Sequence, residues 1–494
     1  MGADGRPLPV TVGIDIGTTA VKALAVTEDG VVVARSRVPH RIIHTSADHM
    51  EHDARAAWRR GPRRALAAVR AAVTGSDGGE RRPADSVRVA GICVAGMVPS
   101  LTAVDRRGIP RTSGLLYGDV RGRTGGTPPE DHRAGPMPDA EGFLQWTSRQ
   151  MPDAYGYWPA QAVATHALSG HAAIDTAVAS TLGDLQVSGR WNDELMARLG
   201  VELRQLPRVV PTGQAAGTLR PDRRVPPGRV TPRVEGAWDD RGAVVAGGSI
   251  DAFCDQIVAG ADQVGDVLVI FGATLIVWVV TDTWIEAPGL WTVPHTEPGR
   301  VLIGGPSNAG ALFVDWARSL LRGAHAPDTS ADGPADCRSG DPRRVPLWLP
   351  YLRGERVPFH DTTLRAGLFD LDITDGPSGV SRAAYEASGF VVRSMIERSG
   401  VTARRIVASG GGTRVGAWMA AVADTTGLPV ETVAVPEGAA LGAAFLARMA
   451  AGLEPSLDGS GRWARPGTRV DPDDRWRPAA DDRYRRFTDL GSGP

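Results

Sequence analysis

The sequence predicts a two-domain α/β protein, and three observations point to it. The chain has 494 residues, beyond the ~250–300 at which a single hydrophobic core stops growing. Its second half alternates short apolar strands with helical segments, the pattern of layered α/β units. One strand–turn–strand pattern also occurs twice. Ile16-Gly17-Thr18-Thr19-Ala20-Val21-Lys22-Ala23-Leu24-Ala25 and Phe271-Gly272-Ala273-Thr274-Leu275-Ile276-Val277-Trp278-Val279-Val280 each join two apolar strands through a Gly-x-Thr turn. Each stands near the start of one expected domain, as a duplicated unit would place it.

In chain order, 10–16, 20–27 and 31–37 read as strands, with Glu28-Asp29-Gly30 as a hairpin turn. Asp53 is expected to cap a helix running to 73, kinked or interrupted at Gly61-Pro62. Strands are expected at 87–95 and 101–105, an exposed loop at 121–141, and helices at 159–168 and 192–199. The stretch 207–240 is dense in Pro, Arg and Gly and marks a domain boundary. From Ala243 come a strand, the Gly247-Gly248 turn, a helix at 251–259, and strands at 267–271 and 276–280. Helices follow at 311–321, 381–399, 415–426 and 439–451, with strands at 405–408 and 430–433. The domains are therefore expected at 1–242 and 243–455. Residues 456–494, rich in Arg, Asp, Pro and Gly, read as a polar tail.

Bulk properties exclude several classes. The formal net charge is −1, so neither nucleic acid nor an anionic membrane is favoured as a partner. Cys93, Cys254 and Cys337 are far apart, with no metal spacing and no disulfide framework. No stretch approaches the ~20 apolar residues of a spanning helix. A cytoplasmic protein with a small-molecule substrate is the expectation.

Four motifs carry chemistry. In Gly13-Ile14-Asp15-Ile16-Gly17-Thr18-Thr19-Ala20-Val21-Lys22, glycine lets backbone N–H groups approach a phosphate. Threonine hydroxyls donate, and an acid holds Mg²⁺ through water. Lys22 is the chain's one lysine; by itself it reads equally as a solvated residue on an edge strand. In the second Gly-x-Thr turn Ile270 stands where the first has Asp15, so one copy alone is equipped to place a metal. Asp251, in Gly247-Gly248-Ser249-Ile250-Asp251, sits where a strand gives way to a helix. It would serve as a catalytic base in phosphoryl transfer or as a helix cap, and spacing alone favours the cap. Ser409-Gly410-Gly411-Gly412-Thr413-Arg414 joins a strand to a helix and offers backbone N–H groups to an anion or a nucleotide, or is a flexible turn. In Tyr117-Gly118-Asp119-Val120-Arg121, the acid and the base can bond adjacent hydroxyls of a polyol, or form a surface ion pair.

Together these segments resemble the FGGY carbohydrate kinases, most closely the xylulokinase-like members. The resemblance spans roughly 10–452 and includes Glu51-His52-Asp53 with Trp58, and Pro350-Tyr351-Leu352-Arg353-Gly354-Glu355-Arg356-Val357-Pro358. It implies two actin/hexokinase-like (ribonuclease H-like) domains with a cleft between them, ATP and Mg²⁺, and a sugar or polyol acceptor. It also implies roles. Asp251 matches the catalytic base, reversing the preference from spacing, and Asp15 matches the Mg²⁺-associated acid. Gly17, Thr18, Thr19, Lys22, Gly272 and Thr274 fall in the phosphate segments. Gly310, Gly411 and Gly412 fall at the nucleotide site, and Met97, Asp119 and Arg121 at the sugar pocket. The resemblance allows a homodimer.

Three departures bear on the acceptor. Gly96-Met97-Val98-Pro99 is apolar where these kinases usually carry polar sugar contacts, Tyr117 replaces a common tryptophan, and the second turn has Ala273. The rival expectation is an ATP-binding regulator or scaffold of the same fold with lost or altered transfer. An Hsp70-like or actin-like ATPase is a weaker rival.

Overall fold

The computed structural model describes residues 7–46, 49–74, 87–119, 121, 139–187, 190–221, 238–321 and 338–491. The chain forms two compact units, one of Met1–Val258 with Ala439–Trp463, the other of Ala259–Gly438 with Ala464–Pro494. These edges differ from the expected 1–242, 243–455 and 456–494.

The sheet of the first unit is built on β1 (Leu8–Ile16), β2 (Ala20–Val26), β3 (Val32–Pro39), β5 (Val87–Gly96) and β8 (Val244–Ala246), in the order β8-β5-β1-β2-β3. β1, β2 and β3 are antiparallel neighbours, while β5 and β8 run parallel to β1. The short β9 (Ser249–Ile250) continues beside β5, also parallel. From Val10 to Ile16 every β1 residue is buried, as expected of a strand covered on both faces. Beside the sheet lie β4 (Glu51–His52), β6 (Ser100–Val104) and β7 (Gly114–Leu116), hydrogen-bonded in the order β4-β7-β6. Asp53 accepts from Ala56 N at 2.9 Å at the head of a π-helical turn (Arg55–Arg60) that runs into α1 (Gly61–Thr74). The chain thus stays helical across Gly61-Pro62, where a kink or an interruption was expected, and changes there from π-helical to α-helical. α2 (Ala160–Ser169) and α3 (Asp251–Ala259) complete the elements that bear on the site.

The second unit repeats the plan. β10 (Asp266–Phe271), β11 (Leu275–Thr281), β12 (Val301–Ser307), β13 (Arg405–Ser409) and β14 (Val430–Val433) lie in the order β12-β11-β10-β13-β14. The pairings again give antiparallel, antiparallel, then parallel, parallel. The echo seen in the sequence is therefore a duplicated topology. α4 (Ala311–Leu321), α5 (Pro377–Ser399) and α6 (Gly416–Thr426) belong to this unit.

The boundary correction has a physical cause. β8 and β9 find their partner in β5, so the chain from Val244 through α3 completes the first sheet instead of starting the second. α7 (Gly438–Ala450) then returns to the first unit and lies directly on its strands. A Cβ added at Gly13 would sit 1.8 Å from the Ala440 carbonyl oxygen, one at Gly91 2.5 Å from Ala447 O, and one at Gly442 1.9 Å from Cys254 O. Thr11 Oγ1 donates to Ala444 O at 2.9 Å in the same seam. Backbones meet there with no side chain between them.

The expected polar tail is also corrected. β15 (Pro466–Val470) pairs with β14, and α8 (Arg477–Gly491) packs on the second unit. Trp476, Ala480, Tyr484 and Phe487 are buried. Arg483 donates from Nε to Glu386 Oε2 at 2.7 Å, and Arg382 from Nε to Glu386 Oε1 at 2.8 Å. Arg382 Nη2 and Arg338 Nη2 reach Asp424 at 2.9 and 2.5 Å. These buried ions tie α8 to α5 and α6. Among the described residues no helix is long and apolar enough to cross a membrane.

The seam makes a prediction. Gly13→Ala should destabilise the protein by about 1–3 kcal/mol or more, because the new methyl meets a carbonyl oxygen in a backbone that cannot yield cheaply. Urea denaturation measures it, and an unchanged midpoint would mean that α7 does not rest on β1.

Candidate active site

Ligands of open α/β sheets gather at the carboxyl ends of parallel strands, and three such ends adjoin in the first unit. Asp15 is the penultimate residue of β1 and pairs with Ala95 of β5; Gly96 pairs with Ile16 on one side and Ile250 on the other. Asp15, Met97 and Asp251 thus leave three neighbouring strands at one edge. Asp15 is 4% exposed. Lys22 faces it across the β1–β2 ladder, its Nζ 3.3 Å from Asp15 Oδ2. β2 is an interior strand, so Lys22 is not the solvated edge residue that was one reading of it. The other oxygen, Asp15 Oδ1, is buried with no hydrogen-bond partner among the described residues. It fits a Mg²⁺-bound water, since this ion keeps most of its waters and takes one or two carboxylates with substrate phosphates.

Asp251 opens α3 and accepts from Ala252 N at 2.8 Å, so it sits at the helix start as a cap would. Burial, and then the negative charge of Asp15, push its carboxyl up from the ordinary 3.8 to about 6, against the pull of Lys22. A carboxylate of that basicity is ionised at neutral pH and better matched to a hydroxyl proton than an ordinary aspartate.

The Gly17–Thr19 turn is held from three sides. Gly17 N donates to Ala20 O at 3.1 Å, and His40 N to Thr19 O at 2.9 Å. His52 Nε2 donates to Thr18 O at 2.8 Å, while Trp58 Nε1 donates to His52 Nδ1 at 3.0 Å. These partners fix a neutral imidazole, and burial followed by the neighbouring His40 pushes its pKa down to about 4. Thr18 Oγ1 lies 2.7 Å from the Tyr117 hydroxyl.

Asp119 is fully buried. Its carboxylate accepts from Met50 N at 2.7 Å and from Arg121 N, Nε and Nη2 at 2.9, 2.9 and 2.6 Å. Burial works against the charge, but the Arg121 hydrogen bonds outweigh it and hold Asp119 below the usual carboxylate range. Arg121 Nη2 also reaches Glu51 Oε2 at 2.7 Å, and its guanidinium lies 5.0 Å over the Trp146 ring. The pair read from the sequence as a polyol clamp or a surface ion pair is a buried, three-membered ion cluster. The Met97 side chain is 2% exposed and turned into the core. The Gln161 amide of α2 donates to Gly96 O at 2.7 Å and Met97 O at 3.3 Å.

In the second unit, Gly272 N donates to Thr274 O at 3.1 Å. Gly310 packs on that turn so closely that a Cβ would come 2.3 Å from the Thr274 carbonyl carbon. Ala311 N and Leu312 N, at the start of α4, donate to Gly272 O and Ala273 O at 3.0 Å each. Gly410 follows β13, the parallel neighbour of β10, at φ +91, and its added Cβ would be 2.7 Å from Phe271 O. Gly412 packs on Trp418, whereas Gly411 has open space around it. Buried Glu355 accepts from Ser307 Oγ at 2.6 Å and Asn308 N at 2.9 Å, anchoring the segment that leads to Gly310. Burial pushes its carboxyl up to about 7.

Comparison with known proteins places this architecture. Residues 267–451 match the C-terminal domain of the FGGY family of carbohydrate kinases. The chain is similar to a xylulose kinase from Escherichia coli, 25% identical over 472 residues that cover 90% of this chain and 91% of that protein. It is similar also to a gluconokinase from Bacillus subtilis, at 23% identity over 90% of this chain and 88% of that protein. The crystal structure of xylulose kinase from Rhodospirillum rubrum superposes with a TM-score of 0.71 at 25% identity, covering 98% of each chain. The chain thus carries an FGGY-family kinase domain at 267–451 and is similar over nine-tenths of its length to a carbohydrate kinase. It is a sugar kinase with the two-domain actin/hexokinase-like fold, and that reaction takes ATP and a small-molecule sugar as substrates.

In this FGGY kinase, Asp15, Gly17, Thr18, Thr19, Lys22, Met97, Asp119, Arg121 and Asp251 all fall in the first unit. Gly272, Thr274, Gly310, Gly411 and Gly412 fall in the second. Asp251 was expected to belong to the second domain; β9 carries it to the first, beside Asp15. Sequence reasoning missed Gln161 and Glu355 as side chains that organise the site. Glu355 stood in a quoted motif without a role, and nothing local marks Gln161, since its partners are two backbone carbonyls far away in the chain.

The elevated pKa of Asp251 has a stability consequence whose sign is fixed. Below the ordinary 3.8 the side chain is protonated both folded and unfolded, and contributes nothing. Between 3.8 and about 6 the unfolded chain ionises first, so stability falls as pH rises, and the loss is complete above about 6. Asp251→Asn should therefore stabilise the protein at pH 7.5 by on the order of 1–3 kcal/mol, a gain that vanishes near pH 4. Thermal melts at the two pH values check this; an equal effect at both would mean that the carboxylate is not penalised in the folded state.

Proposed function

We propose that this FGGY kinase phosphorylates a hydroxyl of a pentulose-like sugar or polyol, a xylulose-like ketose first among them, with Asp251 as general base. The observation that carries the reading is Asp251 itself: a half-buried carboxylate at a parallel strand end, next to Asp15, with its pKa raised to about 6. The relatives named xylulose kinase support the acceptor class.

In this reading Asp251 accepts the hydroxyl proton as the acceptor oxygen attacks the terminal phosphorus of ATP, and the proton stays on its carboxyl until product leaves. Lys22 holds one oxygen of Asp15. Asp15 would hold Mg²⁺ through water at its other oxygen, and that ion supplies charge neutralisation of the phosphates. The Gly17–Thr19 turn and the Gly272–Thr274 turn offer N–H and hydroxyl donors to phosphate oxygens. Gly310, Gly411 and Gly412 would serve the nucleotide. The sugar pocket draws on the β5 end at Met97 and Val98 and on the loop that the Asp119–Arg121 cluster shapes. A homodimer and a cytoplasmic location are part of the same proposal.

The test is ADP release measured over pentuloses, gluconate, glycerol, other polyols and cyclitols. Acceptor-dependent release with a pentulose is expected, and kcat should fall about tenfold per pH unit below pH 6 as Asp251 protonates. Asp251→Asn should retain ATP binding and lose about 10²–10⁴-fold in kcat. Near-normal turnover in this variant would remove Asp251 from the base role. ATP binding without acceptor-dependent ADP release would favour the regulator instead.

A further inference from the structure

Tyr117 stands at the end of β7, immediately before the loop that carries Asp119 and Arg121. Its hydroxyl lies 2.7 Å from Thr18 Oγ1, in the turn that would receive the phosphates. The tyrosine is 9% exposed, so this bond is partly shielded from water. A second strut runs in parallel. Glu51 bonds Arg121 at 2.7 Å, and the next residue, His52, donates to Thr18 O at 2.8 Å. β4, which holds both residues, pairs with β7 through Glu51↔Leu115 and His52↔Gly114. Thr18 is thus gripped at its hydroxyl and at its carbonyl by two adjoining strands that also carry the acidic and basic groups of the sugar-side cluster.

From this geometry we infer that Tyr117 is a positioning residue for the phosphate turn, and not chiefly an acceptor-stacking ring. The inference rests on the reading of Gly17–Thr19 as a phosphate-binding turn. The tyrosine hydroxyl orients Thr18 Oγ1. When Tyr117 accepts from Thr18, the threonine lone pairs remain for other donors. When Tyr117 donates, the Thr18 proton is directed at the phosphate oxygens. An indole at this position has a donor in a different place and no acceptor, so the bond belongs to tyrosine. Because the turn serves the nucleotide whether or not an acceptor is bound, removing the hydroxyl acts on both reactions of the enzyme: transfer to the acceptor and the slow transfer to water.

The experiment compares Tyr117→Phe, Thr18→Val, Thr18→Ser and the double variant Y117F/T18V. Each is assayed for acceptor-dependent and acceptor-independent ADP release, with melting curves to confirm folding. Tyr117→Phe should lower kcat and the acceptor-independent rate by the same factor, about five- to fiftyfold, the usual range for a buried hydrogen bond that leaves its partner unsatisfied. The acceptor KM should stay within about twofold. Thr18→Ser, which keeps the hydroxyl, should recover most of the Thr18→Val loss, and the double variant should be no slower than Thr18→Val, because both changes delete one bond. A raised acceptor KM with an unchanged acceptor-independent rate would overturn the inference and assign Tyr117 to the acceptor. Multiplying effects in the double variant would overturn it too. If Tyr117→Phe fails to fold, the Thr18→Val loss and its rescue by Thr18→Ser read the same bond from its other end, and absence of rescue overturns it. Should no acceptor support ADP release by the wild type, the kinase reading fails, while the acceptor-independent rate still reports on the turn.

Discussion

The chemistry of the first unit depends on a register: Asp15 opposite Lys22 in the β1–β2 ladder. A carboxylate buried at a strand end costs several kcal/mol unless it is paired, and Lys22 is the pair. The negative charge of Asp15 is in turn part of the environment of the neighbouring strand end. Asp251 feels it as the largest cause of its raised pKa after burial. The ion pair therefore bears on both acids: it ties down one oxygen of Asp15 and places the charge that, after burial, makes Asp251 more basic.

The fold is symmetric and the chemistry is not. Both units use the same strand order and a hairpin with a Gly-x-Thr turn, with four residues between the paired Ile16 and Val21 in the first and three between Phe271 and Leu275 in the second. In the second, the register that carries Asp15 and Lys22 in the first is occupied by Ile270 and Ile276. An apolar pair there needs no compensation and offers no charge, so in the proposed reaction this turn would meet phosphate through its backbone and Thr274 alone. The close glycine seams play the complementary part. At Gly13, Gly91 and Gly442, helix α7 meets strand and helix backbones without intervening side chains, so the strand ends are held at positions that side-chain repacking cannot easily move.

What could be read from the chain follows the range of the interactions. Hairpins, Gly-x-Thr turns and the strand order near each are written within a few residues of one another, and these were legible. Asp15, Lys22 and Asp251 could also be picked out, and the structure sets Asp15 against Lys22 and Asp251 at the neighbouring strand end. The unit that owns Asp251 was not legible, because the choice is made by β9 pairing with β5, a partner some 150 residues away in sequence by the numbering of Gly96 and Ile250. The segment after 456 was misread as a tail because its arginines and aspartates dominate the composition. Its own spacing held a correction: Ala480, Tyr484, Phe487 and Gly491 recur at helical intervals and form the buried face of α8. Its charges are also less exposed than composition suggests, since Arg483 is used internally on Glu386. The internal use of Asp119 by Arg121 was open to the sequence, which places them two residues apart, but burial decided against the surface ion pair.

The retention of one lysine in a chain that otherwise uses arginine has a physical reason in the same register. Arginine is a fork that binds a carboxylate through two parallel bonds and would tend to engage both oxygens of Asp15. Lysine is a point charge on a flexible stem, and its ammonium sits 3.3 Å from Oδ2. Oδ1 is then left buried and without a partner among the described residues, which is the state a carboxylate needs if it is to accept from a water on a cation. A drift from lysine to arginine is tolerated wherever the role is a surface charge, because one cation replaces another at little cost. At position 22 it would exchange a single-oxygen contact for a bidentate one and close the acceptor that the proposed reaction uses, so the constraint on this residue is the geometry of its charge, not its sign.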